Sequence, residues 1–119
     1  MSTELELGLR LDTKYNRICI HRATLKAIGN PAFVALGIHP KSKKLVVLPS
    51  AADAPDAIRI RYAEDNTCCI HSKPLLDGIR IVAPQVDRPR SYLLRGKLLA
   101  GQSAAVFDMN EAETITEAE

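Results

Sequence analysis

The chain has 119 residues, 46% of them hydrophobic, with sixteen Lys and Arg, fourteen Asp and Glu, and three cysteines. This length suits one ordinary domain or two very small units with a common core, and no apolar run approaches the roughly 20 residues that cross a membrane. The acidic start, MSTELELGLR, lacks the layout of a signal peptide, and an odd cysteine count does not favour a disulfide framework. We therefore expect a cytoplasmic protein with no membrane partner and no disulfide framework.

Charge is unevenly distributed along the chain. Residues 1–107 hold sixteen bases and nine acids, a net charge of +7, whereas the last twelve residues hold five acids and no base. A basic body attracts phosphate backbones, although a surface rich in lysine and arginine also serves solubility alone. We expect residues 110–119 to be a flexible acidic tail. It could act as an arm for a protein partner, as a solubilising end, or as an internal competitor for DNA.

The apolar residues of the first half follow a period of two. LELGLRL places four leucines on one face, which is typical of a strand with one buried side. RICIH reads as a short strand, and RATLKAIGN as a short helix that ends at Gly29 and Asn30. FVALGIHPKSKKLVVLPS is then a hairpin with its tip near Pro40–Lys44. The order β-β-α-β-β is therefore predicted for residues 1–50.

The second half starts this order again and runs over residues 57–109. AIRIRY alternates, TCCIH is a short strand, and SKPLLDGI starts a helix with Ser72 as N-cap and Pro74 in the first turn. A connection rich in proline and arginine leads to a second hairpin that turns at Ala100–Gln102. The predicted fold is thus mostly β with two short helices.

Two matches indicate that the second half is a copy of the first. NRICIHRATLKAI and NTCCIHSKPLLDG share Asn, Cys, Ile, His and Leu at a spacing of 50 residues. The hairpins align without a gap at a spacing of 59, which places Gly37 on Gly96 and Leu48 on Phe107. A unit of this size cannot bury a face alone, so we expect the two copies to pack on each other about a pseudo-two-fold axis.

The repeated Cys-Ile-His motif raises the question of a metal site. Cys19 and His21 share one face of a strand, as do Cys69 and His71, and two sulfurs with two nitrogens suit zinc. The Cys-x-His spacing nevertheless leaves little room for both side chains to bind the same tetrahedral ion. Buried cysteines, with histidines at the strand–helix junctions, explain the motif as well. We favour this packing role and expect no metal, no cofactor and no catalytic residue.

The first copy, LRLDTKYNRICIHRATLKAIGN with its hairpin, resembles the swapped-hairpin domain of the AbrB/MraZ/SpoVT transition-state regulators. Asn16-Arg17 stands for that family's Gly-Arg turn, Ile20-His21 for its Ile-Pro pair, and Ile28-Gly29 for its helix end. Asparagine can still adopt the positive φ of the family's glycine. The resemblance covers residues 7–49 well and residues 57–109 loosely.

This resemblance implies an architecture and an oligomeric state. In the family, two units interleave their hairpins into one barrel-like core, and MraZ proteins carry both units in one chain. It therefore implies a tandem β-β-α-β-β repeat that forms one intertwined swapped-hairpin domain. Such a chain is either a monomeric pseudo-dimer or pairs again as a homodimer.

The function implied by the resemblance is a non-enzymatic, DNA-binding transcriptional regulator. Bases of the turn and of the short helix would meet double-stranded DNA, together with bases near them and in the second copy. The predicted nucleic-acid-binding residues are Arg10, Lys14, Arg17, Arg22, Lys26, Arg59, Arg61 and Lys73. The connection before the second hairpin adds Arg80, Arg88 and Arg90.

Two further expectations accompany this interpretation. Arg17→Ala should weaken DNA binding with little loss of stability. The alternative function is a protein-interaction module, antitoxin-like or structural, that keeps the fold without binding DNA.

Overall fold

The structure, a computed structural model, describes residues 7–62, 67–86, 91–99 and 103–114. Within these residues the chain forms nine strands and two α-helices. The strands are β1 (Leu7–Asp12), β2 (Arg17–His21), β3 (Phe33–His39), β4 (Lys44–Pro49), β5 (Ile58–Arg59), β6 (Thr67–His71), β7 (Ser91–Leu98), β8 (Ala105–Asp108) and β9 (Glu113–Thr114). The helices are α1 (Arg22–Ala27) and α2 (Lys73–Val82). The prediction of a mostly-β fold with two short helices is confirmed.

All strands join one antiparallel sheet that forms a half-barrel. The strand order is β5-β3-β4-β8-β7-β1-β2-β6, and β9 pairs with β7 outside this path. Only three neighbouring pairs, β1–β2, β3–β4 and β7–β8, are consecutive in the chain. The other four neighbouring pairs in this order each join a strand from before residue 50 to a strand from after residue 57. The two halves of the chain are therefore interleaved in one sheet around one core.

The core lies on the inner face of the half-barrel. In β1, which pairs with both β2 and β7, Leu7, Leu9 and Leu11 are almost fully buried, as their period of two predicts. Ile18 and Ile20 of β2 point the same way. Fully burying a leucine or isoleucine side chain stabilises a fold by about 1.5–3 kcal/mol. The alternating leucines thus position β1 at the centre of the sheet.

The end of α1 and the start of α2 lie where local sequence signals predict, whereas α2 continues to Val82 through residues 80–82, which were predicted as part of the connection. Gly29 and Asn30 adopt φ values of 96° and 53°, and the Asn30 N–H returns to the Leu25 carbonyl at 2.8 Å, which ends α1. Ser72 caps α2 by accepting a hydrogen bond from the Leu75 N–H at 3.3 Å. Pro74 lies in the first turn of α2. These predictions are confirmed because each depends on short-range backbone geometry.

The turns of the first half also match their predictions. Asn16 has φ 51° and ψ 47°, the left-handed conformation expected of an asparagine that replaces glycine. The first hairpin turns between His39 and Lys44, as predicted. The predicted tip of the second hairpin, Ala100–Gln102, lies outside the described residues.

A buried threonine ties α1 to the start of β1. The Thr24 hydroxyl donates to the Gly8 carbonyl and accepts from the Gly8 N–H, both at 2.9 Å, and Thr24 is fully buried. We expect Thr24→Val to lower the free energy of unfolding by about 1–2 kcal/mol, because two buried backbone groups lose their partner. Denaturant unfolding measures this change. Thr24→Ser keeps the hydroxyl and is the control; an equal loss in both variants would contradict the hydrogen-bond explanation.

The expectation of no disulfide framework must be corrected, because one disulfide forms between Cys19 and Cys69. The two cysteines lie directly opposite each other in β2 and β6, with Cα atoms 4.0 Å apart and 50 residues between them in sequence. The pairing of two distant strands brings them together, which the cysteine count did not indicate. Cys68 remains free and buried on the other face.

The acidic segment begins with ordered structure. Met109 is fully buried, the Asp108 carboxylate accepts a hydrogen bond from the Asn110 N–H at 2.9 Å, and β9 pairs with β7 at Tyr92 and Leu93. Residues 110–114 are ordered because Met109 is buried and because β8 leaves part of the edge of β7 free for β9 to pair with. Residues 115–119 of the predicted flexible tail lie outside the described residues.

Candidate nucleic-acid interface

The paired strands β2 and β6 present a polar outer face. Ile18 and Ile20 of β2 enter the core, so the alternate residues of both strands point outwards. The opposed outward pairs are Arg17 with His71, Cys19 with Cys69, and His21 with Thr67. On the other side of β2, Arg10 of β1 lies opposite Cys19. We call the outer face of these two strands the β2–β6 ribbon. It carries Arg17, and Arg10 of β1 lies beside it; both are among the eight predicted residues.

A group of bases surrounds Tyr15 at one end of the ribbon. The Lys14 ammonium lies 5.5 Å and the Arg17 guanidinium 5.6 Å from the centre of the Tyr15 ring, within the range of cation–π attraction. Tyr15 is 58% exposed. Asn16, in its left-handed conformation, makes the tight turn that places these side chains together.

Helix α2 reaches this same turn and adds two bases. The Ser72 N–H donates to the Asn16 carbonyl at 3.0 Å, and Arg80 donates to the Thr13 carbonyl at 3.0 Å. Asp77 accepts from Lys73 at 3.0 Å and from Arg80 at 2.9 Å. The hydrogen bond from Lys73, assisted by Arg80, keeps the pKa of Asp77 below its usual value, so this carboxylate stays ionised.

The residues around this turn form the Tyr15 cluster. They are Asp12, Lys14, Tyr15, Arg17, Lys73, Asp77 and Arg80. Its four bases outnumber its two acids, so the cluster keeps a net charge of +2 beside an exposed aromatic ring. Phosphate oxygens are natural ligands for such a group.

Arg17 has a structural role that the sequence did not indicate. It forms an ion pair with Asp12, whose side chain is only 8% exposed. Removing Arg17 leaves that buried carboxylate without its partner, which is destabilising. The expectation that Arg17→Ala costs little stability is therefore wrong, and other residues make better test variants.

Tyr62 forms a second group with bases of α1. The Arg22 guanidinium, at the start of α1, lies 5.3 Å from the centre of the Tyr62 ring, and the Tyr62 hydroxyl donates to the Asn30 side-chain oxygen at 3.3 Å. Lys26 follows Arg22 by four residues and so lies on the same side of α1. Arg61 precedes Tyr62, and both are exposed.

We call this second group the Tyr62 cluster. It comprises Arg22, Lys26, Asn30 and Tyr62. Its two bases are among the predicted residues, and the predicted Arg59, exposed on β5 beside Phe33 of β3, and Arg61 are its neighbours in sequence. Like the Tyr15 cluster, it joins a segment from one half of the chain to a helix from the other half.

The predicted residues therefore form two groups, not a single patch. Arg17 begins β2, and Arg22 follows its last residue, so the clusters lie at opposite ends of the ribbon. About 13 Å separates the Cα atoms of Arg17 and His21 along the strand. Arg10 lies between the groups. Within the described residues its Nε atom and that of Arg17 are buried without a hydrogen-bond partner.

Sequence reasoning missed the two tyrosines. Tyr15 and Tyr62 are exposed aromatic residues next to bases in sequence, a signal that was available in the chain. Arg80 was counted only as a base of the connection, and its contact with Thr13, 67 residues away, is a product of the fold. Arg88 and Arg90 lie outside the described residues.

The geometry of the Cys-Ile-His pair argues against a shared metal ion. All four side chains lie on the ribbon face, as their spacing predicts, and the two sulfurs are bonded to each other. His21 and His71 lie at opposite corners of the ribbon, about 13 Å apart along the strands, too far to bind one ion. The described residues contain no group of three or more His, Cys, Asp or Glu placed to hold a metal.

A groove of about 480 Å³ lies on another part of the surface, over β4, β7 and β8. Its apolar residues are Leu98, Leu99 and Val106, and charged residues surround them. Burial raises the pKa of Asp108, but hydrogen bonds from the Asn110 backbone and the Lys44 side chain outweigh it and lower that pKa. The ionised Asp108 neutralises Lys44 at 3.1 Å. Lys97 and Arg95 add positive charge at the rim.

Comparisons with known protein families, with curated proteins and with solved structures found no match to this chain. Among the described residues, no helix is long and apolar enough to cross a membrane. The two clusters are therefore the features of this molecule that point to a function.

Proposed function

We propose that this protein is a non-enzymatic, DNA-binding transcriptional regulator of the AbrB-like type. The observation that carries the proposal is the pair of base–tyrosine clusters at the two ends of the β2–β6 ribbon. Each cluster offers bases for phosphate oxygens and an exposed aromatic ring beside them. The cytoplasmic location stays a prediction of this proposal.

We propose further that the chain is a tandem repeat whose two copies exchange strands, as in a swapped-hairpin dimer. The β2–β6 register is symmetric about the Cys19–Cys69 pair, and the β4–β8 register is symmetric about Val46 and Val106. The β1–β7 pairing has its counterpart in β5–β3, and β3–β4 has its counterpart in β7–β8. These relations are those of two equivalent units about one axis, which supports a pseudo-dimer within one chain.

This symmetry requires a hairpin spacing of 60 residues instead of 59. At 60, the fully buried Val47 corresponds to the fully buried Phe107, and Val34 to Leu94. At 59, Phe107 falls on Leu48, which is 38% exposed on the other face. A shift of one residue exchanges the two faces of a strand, so the spacing of 59 is inconsistent with the burial pattern.

DNA would bind across both clusters at once. The major groove is about 12 Å wide, a width comparable to the length of the ribbon. Long arginine and lysine side chains at the two ends can therefore reach the phosphates on either side of a groove. Phosphate contacts fix the position of a protein on DNA and make its affinity depend steeply on salt.

Lys14→Gln/Lys26→Gln is the test variant, with one exposed base removed from each cluster. We expect its affinity for a double-stranded DNA fragment to fall about tenfold and the salt slope to fall by about 2, because two phosphate contacts are lost. Fluorescence anisotropy at several salt concentrations measures both quantities. Lys41→Gln/Lys97→Gln removes two exposed bases from other surfaces and is the matched control. Equal losses in the two variants would mean that net charge alone drives binding.

The groove favours the alternative function, a protein-interaction module. Leu98 and Leu99 are 47% and 43% exposed beside Val106, which is an apolar surface of the kind that partners cover. The acidic tail is a second possible contact on this hypothesis. Absence of DNA binding at low salt in the intact protein would favour this alternative over the first.

A further inference from the structure

We propose that the Cys19–Cys69 bond is a reversible thiol–disulfide exchange site for a dithiol reductant, and that its state controls the Tyr15 cluster. The effect on DNA rests on the proposed function, whereas the exchange itself does not. The bond joins two strands on the outer face of the sheet, where a reductant can approach.

The two bonded cysteines differ in exposure, which gives the exchange a direction. Cys19 is fully buried, whereas Cys69 is partly exposed. Cys68 points to the core opposite Ile20 and is 2% exposed, because adjacent residues of a strand point to opposite faces. An incoming thiolate therefore reaches the bond at Cys69, and Cys68 takes no part.

Arg10 favours Cys19 as the leaving group. Its Nη2 atom lies 3.6 Å from the Cys19 sulfur, so a positive charge is already in place where negative charge develops. A cation beside a thiolate stabilises it, and a stabilised thiolate leaves faster in thiol–disulfide exchange. The Thr67 hydroxyl lies 3.5 Å from the Cys69 sulfur and can hydrogen-bond to it.

The reaction balances with one dithiol. Its first thiolate attacks the Cys69 sulfur, the bond between the cysteines breaks, and Cys19 leaves as a thiolate. The second sulfur of the dithiol, as a thiolate, then attacks the first sulfur, which is now bonded to Cys69. Cys69 leaves as a thiolate. The dithiol is oxidised to a cyclic disulfide, and its two protons end on Cys19 and Cys69.

Breaking the bond loosens the strand that supports the Tyr15 cluster. Among the described residues β6 is the last strand of the sheet and pairs only with β2. Helix α2 follows β6 after one residue and places Lys73 and Arg80 beside the turn at Asn16. Without the covalent tie, β6 and α2 are held by non-covalent contacts, among them the β2–β6 backbone hydrogen bonds, the Arg80 hydrogen bonds to Thr13 and Asn16, and the packing of Leu76 and Ile79 in the core. We therefore expect the reduced protein to bind DNA more weakly than the oxidised protein.

The exchange is tested by treating the folded, full-length protein with dithiothreitol, quenching the reaction, and then labelling in denaturant with maleimide for mass spectrometry, because Cys19 and Cys68 are buried in the folded protein. We expect a single thiol, Cys68, before reduction and three thiols after reduction under native conditions. Arg10→Gln should slow the reduction about threefold or more. Lys14→Gln, which removes an exposed base at the Tyr15 ring, is the control. A bond that opens only in denaturant, or three free thiols that cannot be oxidised, would overturn the proposal.

DNA binding of the oxidised and reduced forms is then compared at one salt concentration. We expect reduction to weaken binding about fivefold or more, because two of the four Tyr15-cluster bases lose their support. Cys68→Ala keeps the bond and should show the same difference between its two forms. Equal affinities in the two forms would overturn the control of the cluster. Absence of binding in both forms would refute the proposed function, while the labelling result would still decide the exchange.

Discussion

Replacing both bonded cysteines, in Cys19→Ala/Cys69→Ala, is expected to lower the free energy of unfolding by about 4 kcal/mol. The bond closes a loop of 50 residues, and the chain-entropy relation for a closed loop of that length yields about this value. A domain of this size is stabilised by roughly 5–15 kcal/mol in total. The variant should therefore lose a large share of its stability, which urea unfolding under oxidising conditions measures.

Cys68→Ala is the control for this loss. It removes a buried sulfur next to Cys69 in sequence but leaves the bond intact. We expect it to cost about 1 kcal/mol, the usual effect of a small loss of packing. If the double variant loses no more than Cys68→Ala, the bond contributes nothing to stability.

The second large effect is expected at Gly96. A Cβ atom at this position would lie 2.6 Å from the ring of Phe107 and 2.8 Å from the Val106 carbonyl oxygen. Phe107 is fully buried, so its ring has little room to move. We expect Gly96→Ala to lower the free energy of unfolding by about 2–3 kcal/mol through this overpacking. Thermal unfolding or denaturant titration measures the change.

Gly37→Ala is the matched control, since Gly37 lies in β3 of the first hairpin and was aligned with Gly96 in the sequence. No atom lies within 4 Å of a Cβ built at Gly37. The substitution should leave stability unchanged or raise it by up to about 1 kcal/mol, because it restricts the unfolded chain. Equal destabilisation in both variants would place the two glycines on the same face, and the spacing of 60 would be refuted.

On the proposed repeat, the difference of one residue between the spacings of 59 and 60 has a physical cause. Antiparallel strands are usually apolar on one face and polar on the other. Here Ala35, Gly37, Val46 and Leu48 are apolar or small although they point away from the core. With apolar residues on both faces of β3 and β4, hydrophobicity no longer distinguishes two alignments that differ by one residue. Only the burial of the side chains in the structure distinguishes the two alignments.

The candidate site, too, could be predicted only in part from the sequence. Arginines and lysines are visible in the sequence, but composition does not indicate which of them meet. Lys14 and Arg17 lie near the Tyr15 ring because of a local turn. Arg80 contacts Asn16 of that turn from α2, 64 residues away in sequence. Arg17 was predicted as a contact residue, and its ion pair with the buried Asp12 gives it a structural role as well.

The sequence by itself determined the elements of this protein. The leucine alternation of β1, the Gly29-Asn30 helix end, the Ser72 cap and the left-handed Asn16 follow from interactions within a few residues. The tertiary structure alone decided the Cys19–Cys69 bond, the two tyrosine clusters and the faces of the hairpins. The bond and the faces of the hairpins depend on the register between strands that are distant in the chain, and the clusters are completed by residues from distant elements, such as Arg80 at the Asn16 turn. Local conformational preferences do not set either arrangement.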